Sequence, residues 1–519
     1  MNTPFTLRRR ELLISTGIAG LLAAGPGRAS AQMGPKTAGA APPTAAAPMP
    51  DMIPSGYDPA YVEHVVMPFL RTSFYLAETP SLPMIGAAFS KQYAIPQDLW
   101  GLLYDDWAPS FEKDGLSVFI LGLDKRGPDN RRKRIYMSAL TGDLYPKYAS
   151  KVRAFFEQLL DAKNAGKPLM RRYLDSYFDL FWDLHLGVKG DEIPAGVRQI
   201  GHSFNAVLGF RDPLLETVYE NYMKVRALRT QLKRWIDEKT TDVMNGKIKD
   251  PEKTFVYYWT KNGGQGEDFR QMDVVFESFH NFVALSQWGN TIYNIMLKLD
   301  RNGGDPAVKA WFKKTMENGP DRAGPGAFTP LQRFVMELFR TISPNPGSIS
   351  SLHELNPVHG ADRNVYAISP HQPASFDPSQ WANPLEFDPD RYLDAPTSSE
   401  NGDAKAKALG FSKCPFDKTA FPVSDGRKAE IVNSAFGTVY GVVDGKPLPV
   451  CDHAGYAPFG FGYRRCPGEQ LNIEVFSDFL RKVWTDKIEF ENLNMPNPAK
   501  IPIGPVTVID DNIGFRRRA

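Results

Sequence analysis

Apolar and polar residues recur with a helical period along much of the chain. Residues 147–164, 214–236 and 271–299 place apolar side chains at every third or fourth position, the pattern of an amphipathic helix. Short stretches typical of β-strands occur late in the chain, such as VYAIS at 365–369 and VTVID at 506–510. The pattern therefore predicts a large, mainly α domain with a small β-rich part.

The N-terminal region has a different pattern. Arginines at 8–10 precede an apolar run from Leu12 to Ala24, and small residues follow at 29–31. This order is typical of an export signal, and the paired arginines before ELL resemble a twin-arginine signal, which exports folded proteins. We predict a signal peptide at 1–31 and a periplasmic or secreted bacterial protein. An amphipathic anchor or a disordered tail remains the alternative. The apolar run is too short to span a bilayer, so no stable transmembrane segment is expected.

Composition divides the rest of the chain. Residues 32–55 are rich in Ala and Pro and are predicted to form a linker, so the folded domain extends over 56–519. Within that domain, 394–456 is rich in Gly, Pro, Ser and Asp and is predicted to be an irregular insertion. The formal charge is only +2, and no long basic stripe or zinc-type cysteine pair is present, so nucleic-acid binding is not expected.

One of the three cysteines lies in an unusual segment, PFGFGYRRCPGEQL at 458–471. A thiol that binds a metal must lose its proton, and nearby positive charge favours that loss. Arg464 and Arg465 supply charge, and a helix starting just after Cys466 would add the positive end of its dipole. Phe459 is expected to shield the sulfur from water. Gly468 is expected to let the backbone approach a large flat ligand.

This segment resembles the haem-ligand loop of the cytochrome P450 superfamily. The family pattern F-x-x-G-x-R-x-C-x-G is matched in full, at Phe459, Gly462, Arg464, Cys466 and Gly468. The resemblance implies a cytochrome P450-type fold, a haem b whose iron is bound by Cys466, and an oxidoreductase activity. A cysteinate ligand favours O–O bond cleavage at the iron.

Two further segments match the same family in the expected order. The sequence ELFR resembles the family's E-x-x-R pair, with Glu337 and Arg340 on one helix face. The segment 375–392 contains Arg391, which the resemblance implies completes a buried Glu–Arg–Arg network. By the same resemblance, Arg134 and His371 are candidate contacts of the haem propionates, although Arg134 also lies in a charge run that solvent could cover.

The distal helix predicted at 271–299 departs from the family pattern. The acid and threonine that relay protons in most members fall, by spacing, at Val283 and Ala284, and neither side chain can move a proton. Glu277 and His280 share a helix face with Ala284 and are the predicted catalytic groups. The alternative is a carboxylate in a surface ion pair and a histidine satisfied in the core.

The segment FESFHNF around Glu277 is similar to one in the allene oxide synthase and hydroperoxide lyase branch of the superfamily. In that branch an asparagine stands at the position of Glu277, and the threonine relay is likewise missing. The glutamate here is a departure from that pattern.

These observations predict the oxidant. An exported enzyme has no reduced nicotinamide pool, whereas a peroxide already contains both electrons, so no redox partner is required. We predict peroxide-dependent oxidation, or hydroperoxide rearrangement, of an apolar, fatty-acid-like substrate. The alternatives are a dioxygen-dependent monooxygenase with an external redox partner and a non-enzymatic haem carrier or sensor.

The other two cysteines, Cys414 and Cys451, both lie in the predicted insertion. In an oxidising compartment they could form a disulfide, but sequence does not set the distance between them. A disulfide and two separate thiols both remain open.

Overall fold

The structure is a computed structural model that describes part of the chain. The described residues are 74–75, 135–136, 138–140, 142–198, 231–263, 277–278, 281, 287–325, 327–342, 347–351, 366–370, 375–376, 381–393, 395, 440–443, 446–449, 456, 458–459, 466, 468–504 and 507–518. The predicted signal peptide and linker, Cys414 and Cys451 lie outside them.

Helices dominate the described residues. The longer ones are α1 Tyr145–Leu159, α2 Met170–Leu186, α3 Phe255–Gly263, α4 Gln287–Leu299, α5 Pro306–Glu317, α6 Pro330–Ile342 and α7 Glu469–Thr485. Residues 231–244 are also helical. Short 3-10 helices lie at Gly142–Leu144, Ala162–Asn164, Gly190–Glu192, Pro251–Lys253 and Pro389–Tyr392.

The described strands are short and pair antiparallel. They are β1 Phe74–Tyr75, β2 Gly347–Ser351, β3 Tyr366–Pro370, β4 Tyr440–Val443, β5 Lys446–Pro449, β6 Ile488–Asn492, β7 Ala499–Gly504, β8 Thr507–Asp511 and β9 Ile513–Arg517. Strand β3 lies between β1 and β2, and the pairs β4–β5, β6–β9 and β7–β8 form separate ladders. The predicted mainly α fold with a small β-rich part is confirmed.

The bounds of the predicted elements differ from the observed ones at their ends. Helix α1 ends at Leu159, because Asp161 begins a new 3-10 helix by accepting a hydrogen bond from the N–H of Lys163. The predicted strand segments at 365–369 and 506–510 correspond to β3 and β8. Of the predicted distal helix, the structure describes helical residues at 277–278 and 281 and the whole of α4.

The first turn of helix α2 is hydrogen-bonded to a strand, and the helix ends at a glycine. The carboxylate of Asp511 in β8 accepts the N–H groups of Met170 and Arg171, two donors that a helix N-terminus otherwise leaves unpaired. Gly187 follows the last turn with a φ of 69°, the left-handed conformation that glycine adopts most easily. The helix is thereby placed against the β7–β8 ladder.

The core around α6 positions the residues of the site. Phe334 lies against Phe312 of α5, with ring centroids 5.6 Å apart, and Phe339 lies 5.5 Å from Phe476 of α7. These contacts fix the rotation of α6, so Glu337 and Arg340 are buried on the face toward residues 382–392. Within the described residues, no helix is both long and apolar enough to cross a membrane.

Candidate active site around Cys466

Cys466 lies three residues before the start of α7 and bonds back to Phe459. Its backbone N–H donates to the carbonyl of Phe459 at 2.7 Å, and Gly468 is the N-cap of the helix. The cysteine is half-buried rather than enclosed in the core. Because the N-terminus of a helix has a partial positive charge, this position favours a negatively charged sulfur.

Phe459 holds the loop against the core. Its ring centroid lies 4.8 Å from that of Phe339 in α6 and 6.5 Å from that of the fully buried Tyr456. The aromatic side chain expected to shield the sulfur is thus packed between the cysteine loop and α6.

The backbone conformation of Gly468 does not itself require glycine. Its φ is −90°, a conformation open to any residue. A Cβ at this position would lie 3.5 Å from Nδ2 of Asn472 and 3.8 Å from Sγ of Cys466, both ordinary contacts. A side chain at this position would therefore face the sulfur of Cys466 and the first turn of α7, and the expected approach of the backbone to a flat ligand stays a prediction.

Asn472 connects the first turn of α7 to α4. Its Nδ2 donates to the carbonyl of Gly468 at 2.7 Å, and its Oδ1 accepts a hydrogen bond from Nε1 of Trp288. Sequence analysis missed this contact, since neither residue belongs to a recognisable motif. The result is a direct link between α4 and the peptide two residues beyond Cys466.

Glu337 and Arg340 form a fully buried ion pair. Nε and Nη2 of Arg340 each donate to one carboxylate oxygen of Glu337, both at 2.7 Å. Burial alone lowers the pKa of Arg340, but the hydrogen bonds and charge of Glu337 outweigh it and raise the pKa. The guanidinium therefore stays charged in the interior, in the bidentate geometry that gives the strongest pairing.

Arg391 joins this pair. Its Nε donates to Oε1 of Glu337 at 3.3 Å, and its Nη2 donates to the carbonyls of Asn383 at 2.7 Å and Glu386 at 2.9 Å. Its Nη1 donates to the carbonyl of Ala382. The remaining donors of Arg340 reach the carbonyls of Ser375, Pro384 and Glu386. The structure thus brings together the three residues that the motifs singled out, and the two guanidinium groups hold the 382–386 loop.

Two partners of Glu337 have no motif to mark them. The hydroxyl of Tyr392 donates to Oε2 at 2.9 Å, and the backbone N–H of Asp388 donates to Oε1 at 2.9 Å. Burial, followed by the charge of Glu337, raises the pKa of Tyr392 well above its usual value. The ring of Tyr392 also lies 5.8 Å from that of Tyr456, which contacts Phe459. This path connects the ion network to the cysteine loop.

In the distal segment before α4, the structure describes Glu277, Ser278 and Asn281, and all three side chains are buried. The side chain of Glu277 is 0% exposed, which excludes the alternative of a carboxylate in a surface ion pair. His280, Val283 and Ala284 lie outside the described residues, as do Gly462, Arg464, Arg134 and His371.

Tyr136 is affected by the charges of both Glu277 in the distal segment and Cys466. Burial raises the pKa of its phenol well above the usual value, and the negative charges of Glu277 and Cys466 add to that effect. Both charges therefore lie close enough to act on one buried hydroxyl. The hydroxyl itself donates to Oδ1 of Asn281.

The donor chemistry fits a haem iron. Cys466 would present one soft ligand at a helix N-terminus once its thiol has lost its proton, and the aromatic residue Phe459 is packed beside it. One cysteine thiolate suffices to hold a haem iron, so Cys466 alone would meet that requirement. Cys466 would hold the group, and the Glu337 network would support the loop behind it.

No family model matches this sequence, and no curated protein matches it. Solved structures similar to the chain include retinoic acid-bound cyanobacterial CYP120A1, at 14% identity and a TM-score of 0.49 over 82% of this chain and 86% of that one. The haem domain of cytochrome P450DA is similar at 14% identity, a TM-score of 0.48 and coverage of 82% and 87%. A single-residue mutant of cytochrome P450SP alpha is similar at 11% identity, a TM-score of 0.48 and coverage of 88% and 98%. These three similar structures are all of cytochromes P450.

Proposed function

We propose that this chain is a haem-thiolate oxidoreductase of cytochrome P450 type. The observation behind the proposal is the buried network of Glu337, Arg340 and Arg391, which lies next to the loop of Cys466. Arg391 is distant in sequence from the motif pair Glu337 and Arg340, yet the three meet in one ion cluster. Aromatic contacts from Tyr392 connect that cluster to the loop. Chance matches to three motifs would have no reason to converge.

The network has a structural role. A buried ion pair is stable only when its remaining donors and acceptors are satisfied, and here two arginines, a tyrosine and a backbone N–H surround one carboxylate. The cluster fixes α6 to the 382–392 segment and supports the cysteine loop through Tyr456. When bound, the haem supplies the oxidising chemistry, which a thiolate ligand directs toward O–O cleavage.

We further propose that the oxidant is a peroxide. Glu277 has a buried carboxyl group on the distal segment. Its charge, like that of Cys466, raises the pKa of the Tyr136 phenol. A carboxylate in that place can take the proton of a hydroperoxide and return it to the departing oxygen. Val283 and Ala284 offer no relay for reductive activation of dioxygen, and the proposed export from the cytoplasm separates the enzyme from nicotinamide reductants.

The proposed substrate is apolar and resembles a fatty acid, and its product is either an oxidised chain or a rearranged hydroperoxide. The substrate class rests on the family resemblance, since fold does not determine substrate.

Purified haem-loaded protein separates the possible functions. We expect turnover with hydrogen peroxide or a lipid hydroperoxide in the absence of any reductant. Turnover only with dithionite-reduced protein and dioxygen would replace the proposal with a monooxygenase that needs an external redox partner. Turnover under neither condition would indicate a carrier or sensor.

A further inference from the structure

A chain of buried hydrogen bonds passes through Asn281 of the distal segment. The carbonyl of Phe181 bonds to Nδ1 of His185 at 2.9 Å, and Nε2 of His185 bonds to Nδ2 of Asn281 at 2.9 Å. Oδ1 of Asn281 accepts the hydroxyl hydrogen of Tyr136. The chain thus joins α2, the distal segment and residue 136, which are far apart in sequence.

With His185 neutral, as its burial and lowered pKa require, only one assignment of hydrogens satisfies every member. A carbonyl can only accept, so Nδ1 of His185 holds the ring hydrogen and Nε2 is the acceptor of a neutral imidazole. The amide of Asn281 must then turn its NH₂ group to His185 and its oxygen to Tyr136. Each partner therefore determines the orientation of the next.

His185 is held neutral in an aromatic enclosure. It is fully buried, and burial lowers its pKa to about 3. Its ring stacks on Phe181 at 4.0 Å and lies edge-on to Phe255 at 4.7 Å and Trp259 at 5.8 Å. The acceptor that orients Asn281 is consequently fixed in place and in charge.

Tyr136 is anchored as firmly at the other end. Its ring stacks on that of Trp259 with centroids 5.4 Å apart, and Nε1 of Trp259 donates to its backbone carbonyl at 2.9 Å. Both anchors of Asn281 are therefore set by α2 and α3, independently of the distal segment.

Glu277 and Asn281 are both helical and lie four positions apart, so the two share a face of the distal segment. A rotation of this turn would pull the amide from both partners and leave buried polar groups without hydrogen bonds. We propose that Asn281 is a positioning residue that fixes the rotation of residues 277–281. The carboxylate of Glu277 thereby keeps its position relative to both Tyr136 and Cys466. The effect on catalysis rests on the proposed function, whereas the effect on the segment does not.

Hydrogen exchange tests the segment on purified holoprotein. Asn281→Leu removes both bonds at similar volume, and His185→Phe removes one while keeping the aromatic packing. In both variants we expect amides in 277–281 to exchange about tenfold faster or more, because each lost buried bond lowers the cost of local opening. Asn294→Leu is the matched control, since Asn294 is a buried asparagine whose Nδ2 donates to Asn290 within its own helix α4. Unchanged exchange in the first two variants, or equal acceleration in the control, would overturn the proposal.

A double-mutant cycle tests the route to catalysis. Glu277→Gln should reduce peroxide turnover by about a hundredfold or more without loss of haem. Asn281→Leu alone should lower kcat and leave the KM for the organic substrate unchanged. In the Glu277→Gln background it should have no further effect. Multiplying effects would show that Asn281 does not act through Glu277 and would overturn this part of the proposal. A Glu277→Gln enzyme with wild-type peroxide turnover would instead refute the proposed function, while hydrogen exchange would still decide whether Asn281 fixes the segment.

Discussion

Glu337 shows how one carboxylate can organise a site. It accepts hydrogen bonds from two arginines, a tyrosine and a backbone N–H, and the side chains in its ion pairs are at most 8% exposed. A charge in this position is stable only because every partner is present. Loss of the carboxylate charge leaves two buried guanidinium groups to share one neutral acceptor.

Glu337→Gln is therefore expected to lower the free energy of unfolding by about 3–5 kcal/mol, because it breaks a buried ion network. Glu317→Gln on the neighbouring α5 is a suitable control, since Glu317 forms an exposed pair with Lys313 at 3.8 Å. The control should change stability by less than about 1 kcal/mol. Equal effects of the two substitutions in urea unfolding would contradict the structural role of the network.

His185 makes stability depend on pH. Its pKa falls from 6.5 to about 3 on folding because it is buried, so the folded state resists a proton that the unfolded state accepts. Its contribution is complete above pH 6.5 and is lost as the pH falls toward 3, with a slope of about 1.4 kcal/mol per pH unit.

The variant His185→Phe should lack this part of the acid dependence. Urea unfolding at pH 7.5 and pH 5.5 is the measurement, and the difference between the two free energies should be smaller in the variant than in the wild type. An equal difference in both proteins would show that His185 does not titrate on unfolding.

At the level of elements, Gly187 after α2 and Gly468 before α7 differ in backbone conformation. Gly187 after α2 has a φ of 69°, and a Cβ there would lie 2.7 Å from Cγ2 of Ile248. Gly468 before α7 has an ordinary φ of −90° and room for a methyl group. Only the first position requires glycine for its backbone conformation.

The pair of variants Gly187→Ala and Gly468→Ala tests this distinction. The first should cost at least about 1–2 kcal/mol of stability through its left-handed backbone, with the contact to Ile248 adding to it. The second should change stability by less than about 1 kcal/mol, because its new contacts are ordinary. Thermal unfolding measures both, and a larger loss at Gly468 would refute the geometry described at the cysteine loop.

The contact of Trp288 with Asn472 joins α4 to α7 beside the cysteine loop. Asn472→Leu should leave the indole N–H without its partner and lower the free energy of unfolding by about 1–3 kcal/mol. Trp288→Phe removes the N–H donor, so in the double variant no indole N–H is left without a partner. The double variant should therefore lose less free energy of unfolding than the sum of the two single losses. Additive losses in chemical unfolding would show that the two residues do not interact.

On the scale of the whole molecule, the motif residues were predictable and their environment was not. Glu337, Arg340, Arg391 and Cys466 were found because their segments resemble motifs of a known family. Helical periods predicted the fold class, because one buried face recurs every 3.6 residues. Tyr136, Asn281 and His185 escaped prediction, since their bonds join segments up to 145 residues apart and follow no local pattern.

The central claim is that Cys466 binds a haem iron through its sulfur. The difference spectrum of the reduced protein with carbon monoxide tests it most directly, because the Soret band depends on the axial ligand. The wild-type protein should show the band at the position typical of thiolate-ligated haem, and Cys466→Ser should lose it. A wild-type band at the position typical of imidazole-ligated haem would contradict the account.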